Sequence, residues 1–308
     1  MGFLLFVHLP APHPAPFLCT HMLRIAIPNK GRLNQECRDV LADAGLEVRA
    51  SSERALRASL GGEFEAIFVR AQDIPEFVAD GAADAGITGW DIVAESGRAV
   101  RSCLDLAFGR CALVVAARED GRIRTIEDIA AGTRVATVFP NITRAFFDGI
   151  GRPIELVPVS GAVEIAPHLG IADVIVDLTS TGSTLRVNGL RPIATVLESS
   201  ARLIAAGAPC ADPARTRALD ELVMAIESVL IARTRRYVMA NVPRARLGDV
   251  KRILPGISGP TVIDVLNGGD MVAVHAVAPA DTIFRTIADL KAIGGEGILV
   301  TRIERLMP

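Results

Sequence analysis

Lysine is nearly missing from this chain of 308 residues: Lys30, Lys251 and Lys291 are the only three. We read that as a compositional habit of the source, since arginine fills the basic role. Lys plus Arg total 33 against 35 Asp plus Glu, a net charge of −2. That leaves no positive field for a sequence-indifferent grip on nucleic acid. No two cysteines form C-x-x-C. The five present (Cys19, Cys37, Cys103, Cys111, Cys210) are scattered. This argues against a disulfide framework or a zinc site and for a reducing, cytoplasmic compartment. No apolar run approaches the roughly 18 residues of a membrane span. Two nucleotide fingerprints are also missing: neither G-x-G-x-x-G after the first strand nor G-x-x-x-x-G-K-[ST] occurs. Long disorder is excluded by a composition that is 50% hydrophobic and 22% charged.

The length predicts two or three domains, at roughly 150 residues each. Residues 1–21 stand apart, being proline-rich and without Lys or Arg. The apolar run Phe3–Val7 is too short for a signal peptide. We expect a disordered extension ahead of a start at Met22. His8, His13 and His21 within it are not read as a metal site.

From Met22 onward, strand and helix patterns alternate, which argues for parallel α/β sheets. LRIAIP reads as a buried strand and residues 34–44 as a helix stopped by Gly45. Strands are expected at 65–70, 83–88, 105–117, 135–140, 154–159 and 172–178. Helices are expected at 74–81, 90–97, from Thr143, and at 163–170. Thr125 and Asp128 form a capping-box-like start. Helix, Gly81, then Ala83-Asp84 is echoed by helix, Gly170, then Ala172-Asp173. Two similar lobes around a cleft would produce such an echo, although helix–Gly–strand is also common grammar. A long helix is expected from Ala211 to Arg236. Beyond it, the order β-α-β-β-α-β, with a turn at Asn267-Gly268-Gly269, reads as a ferredoxin-like unit. The expected domains are residues 22–107 with about 195–236 as lobe I, 108–194 as lobe II, and 237–308 as a C-terminal domain.

The sharpest chemical signal is Asp177-Leu178-Thr179-Ser180-Thr181-Gly182-Ser183-Thr184-Leu185. An apolar strand ends at an acid, then runs into small hydroxylic residues and a glycine. Consecutive N–H groups in such a loop form an anion nest, and a helix start adds partial positive charge. A phosphate monoester is the natural guest; an ordinary Ser/Thr-rich turn is the other reading. Asp177 would repel a phosphate and so belongs beside sugar hydroxyls. Glu164 would approach the same strand end, or else it is a solvated helix residue. Paired carboxylates near a sugar suit an oxocarbenium-like transition state. After the first strand, Lys30 and Arg32 in Pro28-Asn29-Lys30-Gly31-Arg32-Leu33 sit where a lobe opens its cleft. They would neutralise a polyphosphate, or are surface cations.

Glu164, Gly170, Ala172, Ile175, Asp177-Leu178, Thr181-Gly182 and Thr184-Leu185 match the spacing of the ATP phosphoribosyltransferase signature. LRIAIPNKGRL, VRAQDIPEFVADGAADAGITGWD, FGRCALVVA and VATVFPN also resemble that family, so the likeness runs from Met22 to Met307. It resembles the long form, which carries its own C-terminal regulatory domain. The resemblance implies α/β lobes like those of periplasmic binding proteins and an ACT-like third domain. It implies the first step of histidine biosynthesis: N1 of ATP attacks C1 of phosphoribosyl pyrophosphate, giving N1-(5-phosphoribosyl)-ATP and pyrophosphate. Implied with it are Mg2+, inhibition by histidine and assembly as dimers and hexamers, with neither nucleic acid nor membrane as partner.

On that reading, Glu164 and Asp177 are catalytic. Thr179, Ser180, Thr181, Gly182, Ser183 and Thr184 hold the 5-phosphate. Lys30, Arg32, Arg70, Asp73 and Asp91 lie toward ATP and pyrophosphate, and Asn241 and Thr261 toward the inhibitor. Magnesium would be held mainly by substrate phosphates. His168 and His275 are read as structural, and Trp90 as a packed helix start. A non-enzymatic two-lobed binding module, or an enzyme acting on another base, are the competing readings.

Overall fold

The computed structural model describes residues 22–307, apart from 51, 53, 54, 209, 267 and 268. The expected N-terminal extension and the Asn267-Gly268 part of the expected turn lie outside the described residues. The chain begins with β1 (Arg24–Pro28), α1 (Arg32–Asp43), β2 (Val48–Arg49), β3 (Arg57–Leu60), β4 (Phe64–Val69), α2 (Ile74–Ala79), β5 (Ala85–Gly89), α3 (Trp90–Ser96) and β6 (Val100–Asp105). It then crosses to a second sheet through β7 (Cys111–Arg118), β8 (Thr133–Thr137), α4 (Pro140–Gly149), β9 (Ile154–Pro158), β10 (Val174–Thr179), α5 (Ser183–Val187) and β11 (Leu190–Ser199). It returns to the first sheet in β12 (Ala201–Ala206) and α6 (Pro213–Arg233). Last come β13 (Arg235–Pro243), α7 (Leu247–Ile253), β14 (Thr261–Asp264), β15 (Met271–Pro279), α8 (Ile283–Ala292) and β16 (Glu296–Arg302).

The strand orders are β2-β3-β4-β1-β5-β12-β6, β11-β7-β10-β8-β9 and β14-β15-β13-β16. Both faces of the first sheet are covered, which explains the unbroken apolar run of β1. Ile25 and Ile27 pack with Leu41 of α1 and with Leu222 and Ile226 of α6. Ala26, on the opposite face, packs with Ile74 and Val78 of α2. Gly86 marks the closest approach of α2 to the sheet. An added Cβ there would lie 2.4 Å from Ile74 Cγ2 and 3.1 Å from Val78 Cγ2. Both neighbours are buried, so Gly86→Ala is expected to cost about 1–3 kcal/mol by overpacking. Denaturant unfolding checks this; an unchanged midpoint would contradict the packing described.

The echo in the sequence corresponds to a repeated corner. In the first sheet β1 is parallel to β4 and β5, and β12 is antiparallel to β5 and β6. In the second, β8 is parallel to β9 and β10, and β7 is antiparallel to β10 and β11. The Asp84 carboxylate accepts the Arg24 N–H at 2.8 Å, and that of Asp173 accepts the Arg134 N–H at 2.9 Å. The Arg24 guanidinium donates to the Gly81 carbonyl at 3.1 Å, as that of Arg134 does to Gly170 at 2.9 Å. Gly81 and Gly170 both have positive φ, at 73° and 66°.

Several expected elements differ. The strand expected over 105–117 is a strand only from Cys111 onward, in β7; Asp105 ends β6 in the other sheet, and residues 106–110 cross between the sheets, where Ala107 and Gly109 take positive φ. The helix expected over 163–170 is a single 3-10 turn, Val163–Ile165. Pro167 contributes no N–H to a continuing helix, and Gly170 turns the chain. The Thr125–Asp128 capping box forms but opens only one 3-10 turn. Strands β2, β3, β6, β11 and β12 were not anticipated. The third sheet has the order of a ferredoxin-like fold, with Val238, Val250, Val274 and Leu290 in its core.

Candidate active site

The lobes meet around a cleft of about 760 Å3. Its walls include Arg32 from the first lobe, Val138 and Phe139 from the second, and Thr179 and Ser180 at the end of β10. Two chain crossings join the lobes beside it, through residues 106–110 and through Ser200. They are tied together, as Leu106 N–H donates to the Ala201 carbonyl at 3.0 Å and Ala201 N–H to that of Phe108 at 2.9 Å.

The repeated topology makes the lobes directly comparable at this point. In lobe I, β5 passes straight into α3, and the hinge takes up the helix's first amides. Trp90 N–H donates to the Ser200 carbonyl at 3.0 Å and Asp91 N–H to Ser199 Oγ at 3.0 Å. In lobe II, residues 180–182 intervene between β10 and α5. Gly182, at φ 71°, is the N-cap of α5. Gly182 N–H is held by Thr179 Oγ1 at 2.9 Å, and the Thr181 and Ser183 hydroxyls pair at 2.9 Å. Among the described residues, the N–H groups of Ser180 and Thr181 have no protein partner. The loop is therefore pre-shaped, with donors left over.

Asp177 stands at the base of this loop, its Oδ1 accepting the Leu178 N–H at 2.8 Å. Burial pushes its carboxyl up to about 6; the Leu178 N–H pulls it back, and the nearby Glu164 charge adds to the rise. Glu164 arrives on the 3-10 turn that follows Ala162, a non-glycine residue at φ 49°. Backbone strain of this kind tends to mark functional segments. The two predicted carboxylates are thus brought together. Neither lines the main cleft, nor do Thr181–Thr184; the loop meets the cleft through Thr179 and Ser180.

The first-lobe residues are less uniform. Arg32 lines the cleft and pairs with Glu36 at 3.7 Å. Lys30, Arg70 and Asp73 are exposed and lie outside its lining, whereas their neighbours Ala71 and Gln72 belong to it. Asp91 lines the cleft but is 6% exposed, and its Oδ1 accepts the Ser199 hydroxyl at 2.5 Å. That carboxylate holds the hinge. Trp90 is occupied by the Arg202 guanidinium, 5.0 Å over its ring.

Sequence reasoning missed Ser199, Ser200, Arg110 and Arg202, which line a 340 Å3 annex sharing Thr179 and Ser180 with the main cleft. Burial opposes ionisation of Asp105 there, but the Ala107 N–H, the Ser200 hydroxyl and Arg202 hold its carboxyl below the usual range. Burial and then the Asp91 charge push the Cys111 thiol up. Only Arg110, within the FGRC stretch, carried any signal in sequence. His168 Nε2 contacts the Asn188 carbonyl at 2.7 Å. His275 bonds the Tyr237 hydroxyl across β13 and β15. Strand register puts Thr261 opposite His275 and Asn241 opposite Ala273, on the face of the third sheet turned away from its core.

Two α/β lobes around a cleft, with a carboxylate pair and an open hydroxyl loop at one strand end, define a two-lobed α/β protein with a site suited to a small polar ligand. The sequence profile of ATP phosphoribosyltransferase matches residues 70–228, and that of HisG, C-terminal domain, matches 232–305. An ATP phosphoribosyltransferase of Gemmatimonas aurantiaca is 68% identical over 292 residues, covering 93% of this chain and all of that one. One from Halorubrum lacusprofundi is 48% identical, covering 92% and 100%. A solved ATP phosphoribosyl transferase (HisG:HisZ) complex from Thermotoga maritima superposes with a TM-score of 0.57 at 28% identity, covering 67% of this chain and 99% of that one. The chain belongs to the ATP phosphoribosyltransferase family. It is a glycosyltransferase of the pentosyl class.

Proposed function

We propose that the interlobe cleft transfers the 5-phosphoribosyl group of phosphoribosyl pyrophosphate to N1 of ATP, releasing pyrophosphate, in the first step of histidine biosynthesis. The observation that carries the assignment of substrates to lobes is their asymmetry. The first helix amides after β5 are taken up by the hinge, while after β10 the Ser180 and Thr181 amides of the loop ahead of α5 are free among the described residues. The sugar phosphate therefore belongs to lobe II, on the Ser180–Thr184 loop with Thr179 bracing it. Asp177 faces the ribose hydroxyls, and with Glu164 it favours the positive charge that grows at C1 as the leaving group departs. Adenine N1 carries its own lone pair, so no strong general base is required. Catalysis is then mostly alignment and charge stabilisation. Arg32, with Lys30 and Arg70 at the rim, serves the polyphosphates from the first lobe, and Asp73 lies beside them. Asp91 acts on ATP only through the hinge it holds.

Magnesium fits this donor set. Among the described residues, no group of three or more His, Cys, Asp or Glu is arranged as a metal cage. A hard cation that keeps its waters needs only one or two carboxylates plus substrate phosphates, and Asp177 with Glu164 supplies that number. When bound, it would draw charge from the departing pyrophosphate.

Histidine would act at the third domain through Asn241 and Thr261, by preferring the inhibited arrangement of a dimer or hexamer. An amide at Asn241 gives the ligand's amino group no full countercharge, which argues against strong inhibition. No described helix is long and apolar enough to cross a membrane. The phosphorylated substrates support a cytoplasmic reaction. The test is incubation with ATP, phosphoribosyl pyrophosphate and Mg2+, followed by ultraviolet absorbance of the N1-modified adenine. Product is expected. Binding of both compounds without product would favour a binding module, and product with another base would favour a different acceptor.

A further inference from the structure

The lobes are joined a third time, without a covalent crossing. Helix α4 of the second lobe begins after Phe139, whose side chain gives no cap to the helix. Its first amides are capped instead from the other lobe. Glu95 Oε1 accepts the Asn141 N–H at 2.9 Å, and Oε2 accepts the Ile142 N–H at 3.0 Å. The Asn141 amide side chain returns the contact, donating to the Glu95 carbonyl at 2.9 Å. Glu95 sits in the last turn of α3, a helix pinned at its other end to the hinge by the Asp91–Ser199 bonds. It also lines the cleft, as do Gly109 and Cys111 at the crossing. Latch and hinge thus share one wall element, α3.

The repeated topology sharpens the point. The lobe I counterpart of α4 is α1, which likewise follows the first central strand of its sheet. Its N-cap is Gly31, with no side-chain cap, and Arg32 of its first turn lines the cleft. One lobe leaves this helix start uncapped beside a cation. The other has it plugged by a carboxylate from across the cleft. A helix start favours an anion electrostatically, and capping hydrogen bonds to a charged acceptor are among the stronger ones.

We propose that Glu95 is a positioning residue for the transfer reaction: its carboxylate latches lobe I onto the α4 N-terminus and sets the distance between the two substrates. The inference rests on the functional reading above, in which the sugar phosphate is held by lobe II and the nucleotide by lobe I. The latch acts through the lobes, because both Glu95 carboxylate oxygens are engaged by the α4 amides. It acts on the separation of the reacting atoms, where misplacement by about 1 Å costs on the order of 100-fold.

The test uses the full chain with Glu95→Ala, Glu95→Gln and Glu95→Asp. Hydrogen exchange of the Asn141 and Ile142 amides is measured first, without substrates. Protection is expected to fall in all three variants, least in Glu95→Gln, whose single carbonyl oxygen still accepts one bond. Glu95→Asp keeps the charge but is one methylene shorter. It is expected to behave like Glu95→Ala, whereas a merely electrostatic role would leave it like wild type. In turnover, kcat is expected to fall about 10- to 100-fold, while the calorimetric Kd for phosphoribosyl pyrophosphate stays within about twofold. Unchanged protection overturns the latch. So does unchanged kcat, a wild-type Glu95→Asp, or a loss of kcat that only parallels lost sugar-phosphate binding. If the wild-type chain makes no product, the functional reading fails by itself, and the exchange data still decide whether the latch exists.

Discussion

Asp177→Asn is expected to lower kcat/KM by about 100- to 1000-fold while making the protein more stable at pH 7. The activity loss follows from removing the negative charge beside C1, with a magnitude typical for one electrostatic group in a transition state. The stability gain follows from the carboxyl's position. In the folded chain it titrates at about 6, burial being the main cause, against about 3.9 when unfolded. The fold therefore favours the protonated acid. Its ionisation costs nothing below about pH 4, costs progressively more from about pH 4 to 6, and costs a constant amount above. An amide removes that cost, worth on the order of 1 kcal/mol after discounting for partial exposure. Thermal unfolding at pH 7 and pH 4 checks the sign: the variant should gain at the first and not at the second. The wild-type pH profile of kcat/KM should carry an acid limb near 6. Glu164→Gln should move that limb lower, because a neighbouring negative charge is lost. Equal activity of Asp177→Asn and wild type would remove the carboxylate from the mechanism.

Gly182→Val is expected to abolish measurable turnover, with a loss of at least about 100-fold. Gly182 lies at φ 71°, where a β-branched residue costs on the order of 1–3 kcal/mol. Space is not the obstacle: the nearest atom to an added Cβ is Arg186 Nη1, 3.2 Å away on a flexible side chain. The strain would be relieved by reshaping the loop, which disturbs the bond that the residue 182 N–H donates to Thr179 Oγ1 and turns the free amides elsewhere. Gly182→Asn separates the two effects, because asparagine tolerates the left-handed region. It should keep a substantial fraction of activity. Equal losses in both variants would mean that the backbone conformation at Gly182 is not what matters.

What was readable in the sequence divides along physical lines. Strands β1, β8, β9 and β10 and the loop after β10 were legible because buried strands read as apolar runs and the loop is a dense cluster of small hydroxylic residues. The ferredoxin-like unit was legible because its six elements follow one another with short connections. Strand β11 was not: it is an edge strand carrying Pro192 and two register irregularities, and neither reads as a strand. The run 105–117 misled because hydrophobicity does not register a reversal made by Ala107 and Gly109. At the site, Asp177 and Glu164 were within reach because they lie close together in the chain. Asp91–Ser199 spans 108 residues and Glu95–Asn141 spans 46, and only folding brings those pairs together.

The most direct measurement is a crystal structure of the full chain soaked with phosphoribosyl pyrophosphate and Mg2+. The 5-phosphate should lie within hydrogen-bonding distance of the Ser180 and Thr181 amides, with the ribose hydroxyls against Asp177. Density for that phosphate beside Lys30 and Arg32, with the 180–184 loop unoccupied, would contradict the account.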